Sequence, residues 1–201
     1  FRLQYQITAD YFIIATGSNP RQPADVPFDH EIILDSTTLL GIGQVPKSMI
    51  VLGGGVIGSE YASFFAALGT QVTVIDKKEH MLPMLDAEIG IHLQTALTEI
   101  GLKFMGNKEP SEIAKVDDHA FVRFKDGSSL EADILLYTLG RTANVSSLHL
   151  ENTGIKVDAK GYIPVNSLFQ TALSHIYAVG DVIGGPCLAS TSMEQGRLAA
   201  R

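Results

Sequence analysis

Glycines at positions 53, 55 and 58 follow at once on an apolar run over residues 47–52, and an aspartate, Asp76, stands 18 residues after the last of them. The run before the glycines reads as a buried strand. Residues 57–68 carry a helical pattern with Gly69 as its stop, and residues 72–75 read as the next strand, ending on Asp76. Strand, glycine turn, helix and strand within about 30 residues make a βαβ unit with a right-handed crossover. In such a turn Gly53 permits the tight bend, Gly55 lets backbone N–H groups close on an anion, and Gly58 lets the helix pack on the strand. That spacing suits the pyrophosphate of a dinucleotide held at a helix N-terminus. Asp76 is placed to accept hydrogen bonds from an adenosine ribose, which favours NAD over NADP. Lys77 and Lys78 follow directly and either pair with a 2′-phosphate or begin a solvated loop, so use of both nucleotides stays open. Glu60, near the start of the helix, either favours the positive end of the dipole or reaches toward a nicotinamide.

The neighbouring elements must hold this turn in place. Residues 10–18 form a short apolar run closed by Thr16, Gly17 and Ser18, read as a buried strand entering a tight turn, and residues 19–30, with three prolines, read as a connector. A second helix is expected from an N-cap at Asp86 to about Glu99, followed by a third parallel strand over residues 102–105. Residues 112–116, 120–125 and 128–131, separated by turns at Asp117-Asp118 and Asp126-Gly127, read as an antiparallel meander in place of a helix. Residues 133–139 read as a fourth apolar strand ending on Gly140-Arg141. Residues 175–179 read as a strand ending on Gly180-Asp181, and a last helix from about Thr191 carries no stop signal before Arg201. The expected fold class is α/β: a Rossmann-like nucleotide-binding domain whose parallel sheet has an antiparallel β-meander crossover.

Composition bounds the reading. The 201 residues suit about one to one and a half domains. Fifteen Lys and Arg against 22 Asp and Glu leave a net charge of −7, which argues against nucleic acid or an anionic membrane as partner. A hydrophobic share of 45% with 18% charged residues is that of a chain with a core, not a disordered one. The single cysteine, Cys187, allows no internal disulfide and fits a reducing, cytoplasmic compartment; with no second cysteine and nothing basic beside it, it reads as a small apolar residue, not a redox group. No apolar run approaches the roughly 18 residues that span a bilayer, and Phe1 opens no signal-peptide pattern.

Ala15-Thr16-Gly17-Ser18, the turn from Gly53 to Glu60, the segment from Leu139 to Asn144 and the segment from Ile176 to Asp181 together resemble the flavin-dependent pyridine nucleotide–disulfide oxidoreductase family, over essentially the whole chain. The resemblance implies a nicotinamide-nucleotide domain inserted into a flavin domain. Residues 1–45 and 162–201 would be parts of an incomplete FAD-binding domain, and residues 46–161 the NAD(P)-binding domain. It implies cofactor contacts at Thr16, Gly17 and Ser18, along the turn at Gly53, Gly54, Gly55, Val56, Ile57, Gly58 and Glu60, and at Asp76, Lys77, Gly140 and Arg141. Asp181 would hold a ribitol hydroxyl of FAD, or else cap a turn. Leu188 and Ala189 would set backbone N–H groups beside the flavin pyrimidine, where a helix N-terminus stabilises the charge that builds on reduction.

Within the family, the stretches 15–26, 58–64, 140–144 and 181–190, with Glu194-Gln-Gly-Arg197, resemble most the branch that passes hydride between NADPH and NAD+ through FAD. The dihydrolipoamide-oxidising branch shares the order around Pro186 to Ala189 but has His where this chain has Ser190. The implied whole protein is a cytoplasmic homo-oligomer acting on small-molecule dinucleotides. The family's opening glycine turn, redox cysteine segment and C-terminal dimerisation domain with its catalytic histidine find no match in these residues. No catalytic residue and no metal ligand is therefore assigned, and the six histidines stay without a role. The chain by itself is expected to bind NAD(H) without turnover, or to associate through apolar faces left without partner strands.

Overall fold

The computed structural model describes residues 5–201. The four residues before them, which open the expected segment 1–45 and the stretch read for a signal peptide, lie outside the described residues. In chain order the elements are β1 (Phe12–Ile14), β2 (Ser18–Pro20), β3 (Ile33–Asp35), β4 (Ser48–Leu52), α1 (Val56–Ala67), β5 (Gln71–Ile75), α2 (Ala87–Glu99) and β6 (Lys103–Met105). There follow β7 (Pro110–Val116), β8 (His119–Phe124), β9 (Ser129–Ala132), β10 (Ile134–Tyr137), β11 (Arg141–Ala143), β12 (Ile176–Ala178) and α3 (Ala189–Ala199).

Residues 20–140 make one compact unit, and the residues up to Asn19 with those from Arg141 make another. The expected boundaries at 45 and 161 fall inside these units. The first does so because β3 pairs in parallel with β10, which draws residues 20–45 into the sheet.

The unit 20–140 is built on a five-stranded sheet in the order β3-β10-β4-β5-β6, with every neighbouring pair parallel. Its strands read as unbroken apolar runs because both faces are covered. On one face Met49, Val51, Val72 and Val74 pack against Ala62, Phe65 and Ala66 of α1 and Leu97 of α2. On the other, Ile50, Leu52, Ile75 and Leu135 pack against Ala120, Val122, Phe124 and Ala132 of the antiparallel meander β7-β8-β9. The alternation along β4 is the period of two that an extended strand imposes. Asp86 caps α2 through its carboxylate, which accepts from the Glu88 N–H at 3.0 Å.

From β4 the chain turns through α1 to β5 on one side, while β10 lies on the other. The order therefore reverses between β4 and β10, and the crevice at their carboxyl ends is where open α/β sheets bind ligands. β3 was not expected from the sequence. It is three residues long, follows a proline-rich stretch, and is held by Asp29, whose Oδ1 accepts from the N–H groups of Glu31, Ile32 and Ile33 at 3.1, 2.8 and 2.9 Å.

The second unit has its own small core, with Ala143, Leu150, Ile155, Ile163, Ala178 and Val182 buried together. Its β1 pairs in parallel with β12. The expectation that residues 10–18 hold a buried strand is corrected here: Phe12 is 41% and Ile13 46% exposed, since among the described residues β12 is the strand's one partner in a two-stranded sheet. α3 begins at Ala189, two residues before the expected start, with Leu188 in extended conformation as its N-cap, and it buries no residue.

Candidate nucleotide-binding site

The three glycines of the turn answer three different demands. Gly53 has φ +109°, a left-handed value that side chains resist, and a β-carbon there would lie 2.7 Å from Thr138 Oγ1. At Gly58 a β-carbon would fall 1.9 Å from the Gly53 carbonyl oxygen, so α1 can sit on β4 only if this residue has no side chain. Gly55 is different: its backbone is ordinary and extended, and a β-carbon there would meet no atom within 4 Å. The protein's own packing does not require glycine at 55, and what glycine leaves there is room. Gly55 is also the N-cap of α1, with no side chain capping the helix and no acidic residue in its first turn. The first N–H groups of the helix are thus left for an outside acceptor.

Asp76 is nearly buried, at 9% exposure. Its Oδ2 accepts from the Gly54 N–H at 2.7 Å and its Oδ1 from the Lys78 N–H at 2.8 Å. The carboxylate therefore ties the end of β5 to the glycine turn, in addition to facing a cavity of about 670 Å³. That cavity is lined by Gly53, Gly55, Asp76, Lys77 and Gly140 among the residues named from sequence, and also by Arg21, Lys78, Tyr137 and Thr138. Lys108 and Glu109 in its wall are already engaged, Lys108 with Asp126 and Glu109 with Lys125 at 2.8 Å. Glu109 is held below the usual carboxylate range by the hydrogen bond and charge of Lys125, with a further contribution from the charge of Lys77. Arg21, Lys77 and Lys78 make no ion pair among the described residues; Asp25 and Asp76 share the lining with them, so the wall carries charges of both signs with the cations in slight excess.

Other sequence-named residues stand back from the cavity. Gly54 lies beneath it, bonded to Asp76 through its N–H and accepting from Leu82 N–H at 2.7 Å. Val56, Ile57, Gly58 and Glu60 do not line it. Glu60 is exposed on α1, with its backbone carbonyl accepting from the Ser63 hydroxyl. The sequence reading passed over Arg21 and Thr138. Their one signal was position, Arg21 in the connector before β3 and Thr138 directly after the apolar run of β10.

In the second unit, three motifs far apart in sequence converge. The Ser18 hydroxyl donates to Asp181 Oδ2 at 2.7 Å, and Arg141 donates from Nε to Ser18 Oγ and from Nη2 to the Ser18 carbonyl, both at 2.7 Å. The Thr16 hydroxyl donates to the Asn144 carbonyl at 2.7 Å, and Asn144 Nδ2 donates to the Thr16 carbonyl at 3.0 Å. Gly17, between them, has φ +70°. Gln195 of α3 accepts from the Gly180 N–H at 2.7 Å and fixes the turn that carries Asp181. Asp181 Oδ1 accepts no hydrogen bond from the described residues, so it can take a cofactor hydroxyl. The Leu188 N–H is already donated to the Pro186 carbonyl at 2.9 Å, whereas Ala189 opens α3 and its N–H precedes the helical ladder. The Cys187 thiol is pushed up, first by local burial and then by the Asp181 carboxylate, against the pull of Arg141, which makes it a poor nucleophile.

The sequence pattern of the pyridine nucleotide-disulphide oxidoreductases matches residues 3–196. The chain belongs to that family. Its members work with FAD and a nicotinamide nucleotide, in keeping with the sequence expectation. The chain is 46% identical over 195 residues to the soluble pyridine nucleotide transhydrogenase of Klebsiella pneumoniae, covering 97% of this chain and 42% of that protein, and equally to that of Yersinia pestis. Among solved structures it resembles LpdA from Mycobacterium tuberculosis, at 34% identity with a TM-score of 0.89, over 95% of this chain and 42% of that one. It also resembles the HOCl-induced flavoprotein disulfide reductase RclA from Escherichia coli, at 32% identity with a TM-score of 0.87, over 95% of this chain and 44% of that one. The chain thus spans about two fifths of the length of these relatives. Among the described residues no helix is long and apolar enough to cross a membrane, and no group of three or more His, Cys, Asp or Glu could hold a metal ion.

Proposed function

We propose that this chain carries the nicotinamide-nucleotide site, and part of the flavin site, of an oxidoreductase that passes hydride between NADPH and NAD+ through FAD. The observation that carries the reading is Gly55, open to at least 4 Å at the head of an uncapped helix, beside a cavity at the reversal point of the sheet that Arg21, Lys77 and Lys78 help to line. There the N–H groups at the start of α1 hold the pyrophosphate, and Asp76 and Lys77 meet the adenosine ribose. Gly140 lets the end of β10 approach the nucleotide. In the second unit Thr16, Gly17 and Ser18 shape the flavin side, while Asp181 takes a ribitol hydroxyl. The flavin, when bound, supplies the hydride chemistry; the protein's part is to position the two rings and exclude water.

The likeness to the soluble transhydrogenases favours transhydrogenation; a cytoplasmic setting and an oligomeric whole protein belong to the same proposal. The likeness to a flavoprotein disulfide reductase supports a second reading, disulfide reduction by the whole protein. Measured on the whole protein, transhydrogenation exceeding dihydrolipoamide turnover is the expected result, and the reverse would favour the second. On this chain alone, titration with NADH and NADPH by fluorescence tests the site. Both are expected to bind, without turnover. Replacing Lys77 and Lys78 by Ala is expected to weaken NADPH more than NADH. Absence of binding by either nucleotide would overturn the assignment.

A further inference from the structure

β10 ends at Tyr137, opposite Leu52 in the register of the sheet, so the next residue, Thr138, faces the first glycine of the turn. Its hydroxyl donates to the Leu52 carbonyl at 2.7 Å and lies 3.1 Å from the Gly53 carbonyl. The Leu52 carbonyl also accepts the Thr138 N–H at 2.9 Å. The same Oγ1 is the atom that a β-carbon at Gly53 or Gly58 would strike, at 2.7 and 2.8 Å. The rest of the turn is held by other elements: the Gly53 N–H donates to the Ile75 carbonyl at 2.8 Å, and Gly54 is bonded to Asp76 and Leu82. The Gly53 carbonyl, against which Gly58 packs, shares the single proton of the Thr138 hydroxyl with the Leu52 carbonyl.

We propose that Thr138 is a positioning residue for the pyrophosphate turn. Its hydroxyl draws the carbonyls of Leu52 and Gly53 down onto β10 and so fixes the backbone whose next N–H groups, from Gly55 onward, meet the anion. This rests on the nucleotide reading above. It concerns the hydroxyl and not the bulk of the residue, and two substitutions separate these. Thr138→Val keeps the shape and removes the donor; Thr138→Ser keeps the donor and removes a methyl group. Thr138 is partly exposed, so neither change overfills a closed core.

The experiment is fluorescence titration of the 201-residue chain and both variants with NADH, together with amide exchange at Gly53 and Gly54. Losing one hydrogen bond is expected to raise the Kd of Thr138→Val roughly three- to tenfold and to speed exchange at both glycines. Thr138→Ser is expected to stay within about twofold of the unaltered chain. A Val variant that binds like the unaltered chain, or a Ser variant as impaired as Val, would overturn the role of the hydroxyl. Should the unaltered chain bind no nucleotide, the cavity assignment falls, and with it the role in binding. Exchange then decides the clamp alone: faster in Val and unchanged in Ser supports it, and equal rates in all three overturn it.

Discussion

At the scale of single residues, the turn separates roles that a glycine pattern merges. Gly55→Val is expected to leave the melting temperature within a few degrees, since a β-carbon there meets nothing within 4 Å, and to cost NADH affinity about tenfold or more by filling the approach to the pyrophosphate. Gly58→Ala should do the opposite. With its β-carbon 1.9 Å from the Gly53 carbonyl it must push α1 off β4, and a loss of about 3 kcal/mol in denaturant unfolding is expected. Asp76→Ala strands the buried Gly54 N–H. About 1–3 kcal/mol of stability should go with it, alongside NADH affinity, because the carboxylate holds the turn as well as facing the cavity. The glycine spacing and Asp76 stand out in the sequence because each is a residue type that the proposed nucleotide site would need at a fixed distance. Thr138 and Arg21 do not, since a threonine after an apolar strand and an arginine in a connector acquire meaning only from what the sheet brings beside them.

At the scale of elements, α1, α2, the central strands and the meander follow from local pattern: glycine stops, an aspartate N-cap and apolar periods of 3.6 or 2. β3 does not. A three-residue strand exists because β10 offers it an edge and Asp29 gathers its N–H groups while pairing with Lys115 of β7 at 2.9 Å. Burial pushes the Asp29 carboxyl up, but the N–H groups of Ile32 and Ile33 and the Lys115 ammonium outweigh it and hold the group well below the usual carboxylate range. A depressed carboxylate stabilises the fold above its unfolded-state pKa, and that stability is lost as pH falls through the lower folded value. Asp29→Asn should therefore cost about 1 kcal/mol near neutral pH, with the gap to the unaltered chain closing below about pH 4. Urea melts at a series of pH values would show it; a gap independent of pH would exclude the carboxylate as the cause. β1 illustrates the converse. Its apolar run has the composition of a buried strand and is nonetheless exposed, since burial depends on what lies opposite.

At the scale of the whole molecule, the compact units and the domain limits expected from sequence differ. The unit built on the five-stranded sheet takes in residues 20–45 through β3 and closes at Gly140, 21 residues before the limit expected at 161. Because both faces of its sheet are covered from within, residues 20–140 expressed alone are expected to melt cooperatively and to bind NADH with an affinity within a few-fold of the full chain. A chain cut at residues 46–161 should lose β3 and the Asp29 clasp, and is expected to be less stable by several kcal/mol for its lost buried Ile33 and Leu34. Circular dichroism melts of the two fragments compare them directly.

By itself the sequence determined the family, the α/β class, the meander that stands in place of a helix, and the strand–glycine turn–helix unit around Gly53–Gly58. These rest on residue types and spacings within one element or between consecutive ones, where chain geometry alone brings the parts together. Only the tertiary structure decided which glycine of the turn has open space beside it, that Asp76 binds the turn, that Thr138 reaches two of its carbonyls, and that Ser18, Arg141 and Asp181 share one network. Each of these is a contact between residues that chain order keeps apart. Such contacts arise when burial of the apolar strands fixes sheet order and register, and no local pattern records that outcome.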